Sequence, residues 1–347
     1  MIYSNITYKT ICFLAICLIA SLVSCDRGVE PIAKNSISFS FSGETRAGEN
    51  ENIATFWGYN STNWVYSEAY TSAGLTPANG FEANLSTGSV MPTSETFKNY
   101  MAENPEYWTA DSYYFYSLWP SRDGVNVYKE TTNYNPPGIY FNASVETQPN
   151  DQLFAYLGLS ASEAVSKTDA VNFEYQHIYS KIVFNVRKHT GNEIDKVVLD
   201  SLSLEGVTLV GSFACGNDGI LSCTKIPNTP NSLVLYASTG AGQGEVLKTD
   251  GVPADNIIDG RLMLPQTIER NQIKVKLVYR FIDANNVVTN SKRVEASLPR
   301  NAIPEWKSNM VYTYNLYLEA ESNNILFGAP EIDTWNTKQG GATIIIQ

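Results

Sequence analysis

The chain has 347 residues, of which 43% are hydrophobic and 12% aromatic, so it can fill apolar cores and does not have the composition of a disordered protein. Its formal net charge of −11 at pH 7 repels phosphate backbones, which argues against nucleic acid as a partner. Only 2 histidines accompany 21 tyrosines, a balance that favours strands and aromatic faces over acid–base chemistry.

The N-terminus has the pattern of an exported lipoprotein. An apolar run from Ile11 to Val23 closes on Leu-Val-Ser followed by Cys25. The run is shorter than the roughly 20 apolar residues of a membrane span, which favours a removed signal peptide over a short membrane anchor. We therefore predict that residues 1–24 form the signal peptide and that the thiol of Cys25 is lipidated outside the cytoplasm.

The first predicted strand follows a short polar tether. Residues 36–42 read Ser-Ile-Ser-Phe-Ser-Phe-Ser, and this period-2 alternation is typical of a half-buried strand. A polar, glycine-flanked segment comes next and contains Arg46 followed by Ala47. Such a loop is a natural protease site, although an exposed arginine is also common in loops that are never cut.

Short aromatic strands dominate the rest of the first half. Strands are predicted at Thr55–Tyr59, Asn63–Tyr66 and Ser112–Trp119, and one short helix within Met91–Asn104. A loop is predicted at residues 161–169, and we place a domain boundary after it, near residue 170.

The second half alternates more regularly. Phe173 and Tyr175 share one parity, whereas Ile178, Ile182, Phe184 and Val186 have the other, which predicts a bulge near His177. Further alternating strands cover residues 273–281 and 312–318, and a turn at residues 283–286 leads the first of them back into a strand at 287–298. Many short strands separated by turn residues predict an all-β fold of β-sandwiches.

Two cysteines remain once the signal peptide and the lipid site are set aside. Cys215 and Cys223 flank a Gly-Asn-Asp-Gly turn. They could lie opposite each other across a hairpin and form a disulfide in an oxidising compartment, or stay as two buried thiols. Their spacing is not that of a zinc knuckle and no histidine lies near, so no metal site is predicted.

No catalytic constellation stands out. His177 and His189 lie in or beside one predicted strand, and the sequence has no Gly-x-Ser-x-Gly elbow. The glycine-rich residues 240–244 lack the following helix and the lysine of a phosphate loop. We predict neither enzymatic activity nor a cofactor.

Several segments together resemble the fimbrillin family, the type V pilins and related lipoproteins of Bacteroidales. The strongest match is Phe-x-x-x-His-x-x-Ser-Lys-Ile, which spans residues 173–182. Tyr179 departs from the small or aliphatic residue that the family often has there. The other matching elements are Leu264-Pro265-Gln266, Trp306, Tyr312-Thr313-Tyr314 and Ile332-Asp333-Thr334-Trp335. No single motif is specific, but their order is, and with the lipid site and residues 45–47 they cover the chain.

The resemblance implies a fold and a function. The fold is two transthyretin-like β-sandwich domains in tandem, which we place at residues 47–170 and 171–347, behind a propeptide of residues 25–46 with a removable first strand. The function is that of a structural, adhesive subunit of a cell-surface fimbrium. The precursor is lipid-anchored in the outer membrane through Cys25, with palmitate among its acyl groups, and an arginine-specific surface protease cuts it between Arg46 and Ala47.

The resemblance also implies assembly by donor-strand exchange, in a head-to-tail polymer with other fimbrial subunits. The donor candidate is the β-branched run Ala342, Thr343, Ile344, Ile345 and Ile346, which would serve equally well as an ordinary last strand of its own domain. Host or bacterial surface ligands are further expected partners. The alternative is a surface lipoprotein that does not polymerise, either a fimbrial tip or anchor subunit or a glycan-binding protein.

Overall fold

The structure is a computed structural model. It describes residues 37, 39–42, 53–60, 81–84, 89–91, 108–122, 124–128, 138–147, 149–188, 196–226, 231–239, 244–247, 260–269, 272–318, 324–335 and 341–344. Several predictions concern residues outside this described set: the signal peptide, Cys25, Arg46, Ala47, the strand at 63–66, His189, Ile345 and Ile346. The helix predicted within 91–104 also lies outside it, apart from Met91. No helix in the described ranges has the length and apolarity needed to cross a membrane.

The described residues form strands and one short helix, so the all-β prediction is confirmed. Up to residue 170 the elements are β1 (Phe39–Ser42), β2 (Ile53–Asn60), β3 (Phe81–Asn84), β4 (Ser89–Met91), β5 (Tyr113–Trp119), β6 (Val125–Tyr128), β7 (Gly138–Ser144), β8 (Leu153–Leu159) and α1 (Ala161–Ser166). Beyond it they are β9 (Val171–Glu174), β10 (Gln176–His177), β11 (Ser180–Lys188), β12 (Lys196–Val207), β13 (Val210–Cys215), β14 (Leu221–Lys225), β15 (Asn231–Ala237), β16 (Glu245–Val246), β17 (Arg261–Met263), β18 (Gln266–Thr267), β19 (Lys274–Ile282), β20 (Val288–Ser297), β21 (Glu305–Trp306), β22 (Met310–Leu318), β23 (Ile325–Phe327), β24 (Glu331–Thr334) and β25 (Gly341–Ile344).

A six-stranded sheet of order β10-β8-β5-β2-β3-β4 separates two apolar cores. Along β5, Phe115 and Trp119 belong to the smaller core, whereas Tyr116 and Leu118 belong to the larger one. Because both faces of β2 and β5 are covered, these strands are almost continuously buried and read as aromatic runs rather than as alternating strands. A three-stranded sheet of order β25-β1-β9 covers the smaller core.

The larger core is enclosed mainly by strands of the second half. One sheet has the order β17-β11-β22-β23, with β24 also on β22, and another has the order β15-β12-β19-β20, with β16 also on β12. Strict alternation of buried and half-buried residues runs along β11 and β19, as the sequence predicts. Strands β19, β20 and β22 confirm the predictions at 273–281, 287–298 and 312–318.

The parity change near His177 marks a transfer of the chain between sheets rather than a bulge within one strand. Strand β9 pairs with β1, β10 pairs with β8, and β11 pairs with β22 and β17. The residues between β10 and β11 are buried in succession because the chain crosses the interior there. His177 therefore lies at a junction of three sheets.

The loop predicted at residues 161–169 is wrong in part, because residues 161–166 form α1. Ser160 caps this helix: its hydroxyl accepts from the backbone N–H of Glu163, whose carboxylate accepts from the Ser160 N–H in return.

A sheet of order β14-β13-β7-β6 combines strands from both sides of residue 170. The domain limits 47–170 and 171–347, and their tandem arrangement, therefore stay predictions.

Candidate functional site

Strand β1 lies in the middle of its sheet and has a different partner on each edge. It is antiparallel to β25, with Phe39 opposite Ile344 and Ser42 opposite Gly341. It is parallel to β9, in a ladder that begins with Phe39 opposite Val171. In the described part of the chain β25 pairs with no other strand, so β1 is the sole link between β25 and the rest of this sheet.

The side chain of Phe39 fills an aromatic pocket beneath this sheet and is fully buried. Its ring centroid lies 4.6 Å from that of Phe56, 5.6 Å from that of Phe115 and 6.0 Å from that of Phe173, whose ring is nearly parallel to it. Ile37 is also buried. These two apolar side chains anchor β1, because burying one of them contributes about 1.5–3 kcal/mol.

The smaller core would be a groove if β1 were removed. Its remaining members are Ala54, Phe56, Tyr113, Phe115, Trp119, Leu153, Ala155, Ala164, Val171, Phe173 and Tyr175. Two hydrogen bonds fix part of the wall of this groove. The Ser117 hydroxyl donates to the Thr55 carbonyl at 3.0 Å and accepts from the Tyr175 hydroxyl at 2.6 Å. Burial raises the pKa of Tyr175 above its ordinary value, so this hydroxyl keeps the proton that it donates to Ser117.

The two cysteines do not lie opposite each other. Across the β13–β14 hairpin Cys215 is opposite Leu221, and Cys223 is opposite Phe213. Both thiols are free, with Cys215 buried and Cys223 half-buried, because the five-residue connection from 216 to 220 offsets them by two positions. The hairpin is held against β8, where the Tyr156 hydroxyl donates to the carbonyl of Asn217.

The Cys215 and Cys223 thiols should react slowly in the native mature chain. Burial raises the pKa of Cys215 to about 12 and that of Cys223 to about 11, so the reactive thiolate is scarce at pH 8. We expect a thiol–disulfide reagent to label them about a hundredfold more slowly than in the urea-unfolded chain. Reaction at the unfolded rate, or an intact mass two hydrogens lower, would contradict two free thiols of which Cys215 is buried and Cys223 half-buried.

The histidine that the sequence singles out is part of a stacked cluster. The His177 Nδ1 lies 2.6 Å from an Asp151 carboxylate oxygen, and its ring stacks on Trp335 with centroids 3.7 Å apart and 7° between planes. Ser308 lies nearby, but its hydroxyl donates to the Ile178 carbonyl at 2.9 Å. The described ranges hold no group of three or more metal-ligating side chains. Sequence reasoning gave no signal for Asp151, and it found Trp335 only as part of the family pattern.

The comparisons with known proteins point to one family and one shared fold. The family model described as "Fimbrillin-like" matches residues 45–335, and none of the curated proteins matches. A solved fimbrial protein from Bacteroides vulgatus is 13% identical, with 87% of this chain and 99% of that chain covered and a TM-score of 0.53, which shows a shared fold. A candidate cell adhesion protein from Bacteroides uniformis is 12% identical, with 87% and 98% covered and a TM-score of 0.49.

Proposed function

The chain belongs to the fimbrillin-like family, and from this premise we propose that it is a structural, adhesive subunit of a cell-surface fimbrium that polymerises by donor-strand exchange. The observation that carries the proposal is the position of β1 between β9 and β25. Strand β1 covers the acceptor groove, which the donor strand of a neighbouring copy would fill. It also pairs with β25, the donor strand that would enter the groove of another copy.

Processing would begin with a cut after Arg46, which falls between the end of β1 and the start of β2. The cut leaves β1 on a separate peptide, so its attachment is no longer intramolecular and loses the high effective concentration of a tethered strand. The same peptide, residues 25–46, carries the lipid on Cys25. One cleavage by an arginine-specific surface protease would therefore free the subunit from the outer membrane and from its own first strand.

Departure of β1 would expose the acceptor groove and the donor strand at the same time. The edge of β9 gains unpaired backbone groups, beside the pocket that Phe39 occupied, and such an edge pairs readily with another strand. Strand β25 loses its described partner and becomes available as the donor. Ladder hydrogen bonds then provide affinity and alternate side chains provide register. Because donor and acceptor are different surfaces, the contact is head to tail, and it builds a filament when the rotation between subunits does not close a ring.

The processing step can be tested on the purified mature chain with an arginine-specific protease. We expect a new N-terminus at Ala47 by intact mass, followed by filaments visible in electron micrographs. The variant Arg46→Ala should keep its first strand and stay monomeric under the same treatment. If the parent is cut cleanly after Arg46, loses residues 25–46 and still remains monomeric, the polymerising role is wrong and a tip, anchor or glycan-binding lipoprotein takes its place.

A further inference from the structure

Trp335 is held by groups from three other parts of the chain. Its ring stacks on His177, and its backbone N–H donates to the Asn309 carbonyl at 2.9 Å. Lys181 Nζ lies 5.6 Å from the centre of the Trp335 ring, within the range of a cation–π contact. A half-buried tryptophan is thus fixed both through its side chain and through its backbone.

The residues that hold Trp335 are themselves fixed. The His177 side chain is 7% exposed, and its Nδ1 faces the Asp151 carboxylate. The His177 N–H donates to the Asn309 side-chain oxygen at 3.3 Å, and the Asn309 N–H donates to the Tyr179 carbonyl at 3.0 Å. Asn309 has a φ of +61°, a left-handed conformation that asparagine tolerates better than most residues.

Trp335 directly follows β24, whose four residues are all exposed and pair only with β22 among the described strands. With so little apolar burial β24 is a weak attachment, and local opening starts in such segments. Only residues 336–340 separate Trp335 from β25, so an extended chain spans at most about 20–22 Å between Trp335 and Gly341. The point at which Trp335 is held therefore limits where β25 can go.

We infer that Asp151, His177 and Asn309 form a clamp on Trp335 that fixes the root of the donor segment, and this inference depends on the proposed function. They are positioning residues: they hold Trp335, and Trp335 sets the origin and reach of β25. With the clamp closed, a released β25 leaves the subunit from one place. With the clamp open, β24 can peel away, the tether lengthens, and more of the chain has to be ordered when the donor enters a neighbour's groove, which costs conformational entropy.

The rate of amide hydrogen exchange at residues 331–335 of the full mature chain, measured before and after cleavage, shows whether the clamp is closed. His177→Ala and Trp335→Ala should each raise exchange there about tenfold or more, while β22 keeps its protection. Trp335→Phe keeps an aromatic ring to stack and should stay within about threefold of the parent. Leu326→Ala in β23, which pairs with the same strand β22, is the matched control and should leave residues 331–335 unchanged.

Assembly after cleavage provides the second readout. The two clamp-opening variants should form filaments about fivefold more slowly than the parent, because their donor has to be ordered on binding, and Trp335→Phe should keep the parent rate. Unchanged exchange in His177→Ala, or parent-rate assembly of Trp335→Ala despite faster exchange, would overturn the clamp while leaving strand exchange in place. Failure of the cut parent itself to assemble would refute the proposed function, and with it the role of the clamp as the root of a donor.

Discussion

Phe39→Ala should lower the free energy of unfolding of the uncut chain by about 3–5 kcal/mol. The ring is fully buried and has three aromatic neighbours with centroids between 4.6 and 6.0 Å away. Alanine would leave a cavity among these rings, in the core that the three-stranded sheet covers. Urea denaturation of the uncut mature chain measures the effect.

Two further variants separate this cavity from a general loss of stability. Phe39→Leu keeps most of the apolar volume and should cost less than about 1.5 kcal/mol. Val288→Ala removes a side chain that is 47% exposed and should stay within about 0.5 kcal/mol of the parent. After cleavage, Phe39→Ala should also release residues 25–46 faster. A Phe39→Ala chain as stable as the parent would show that β1 does not anchor the groove.

A chain lacking residues 341–347 should fold but fail to polymerise. Strand β25 is an edge strand paired only with β1 in the described sheets, so its loss removes one edge of a sheet and no strand that lies between two others. After cleavage the truncated chain still has an acceptor groove but no donor, and it should shorten filaments when mixed with the parent, because each copy blocks further growth at the end it joins. Filament length distributions from electron micrographs measure this.

The control for the truncation is the full-length chain with Arg46→Ala, which keeps β1 in its groove and should neither polymerise nor shorten parent filaments. The comparison separates a chain that can accept a strand from one whose groove is closed. Filaments of parental length from the truncated chain alone would show that the donor lies elsewhere in the molecule.

Several of the strands could be predicted from sequence, and their partners could not. Alternation in residues 36–42 indicates β1, and the same signal in residues 273–281 indicates β19. Alternation reports which face of a strand is buried but carries no information on which strand lies beside it. The pairing of Phe39 with Ile344 joins positions about 300 residues apart, and nothing local in either segment specifies the other.

The predictions of local structure were wrong where the length of a turn or a helix cap determined the conformation. Cys215 and Cys223 flank a turn, but the length of that turn shifts the hairpin register and places Cys215 opposite Leu221. The Ser-x-x-Glu pattern of Ser160 and Glu163 is the signature of a capping box and could have identified α1. Asp151 gives no signal at all, because its role depends on the fold bringing it to His177.

The most direct test of the account is to lock β1 to β25. Ser40 and Thr343 are directly opposite in the antiparallel ladder, and the Cα separation of such pairs, about 4.5–5.5 Å, suits a disulfide. In the oxidised double variant Ser40→Cys and Thr343→Cys, cleavage after Arg46 should give no filaments, and reduction should restore assembly. The single variant Ser40→Cys should assemble in either state. Filaments from the cut, still cross-linked chain would contradict the claim that releasing β1 frees both the groove and its donor.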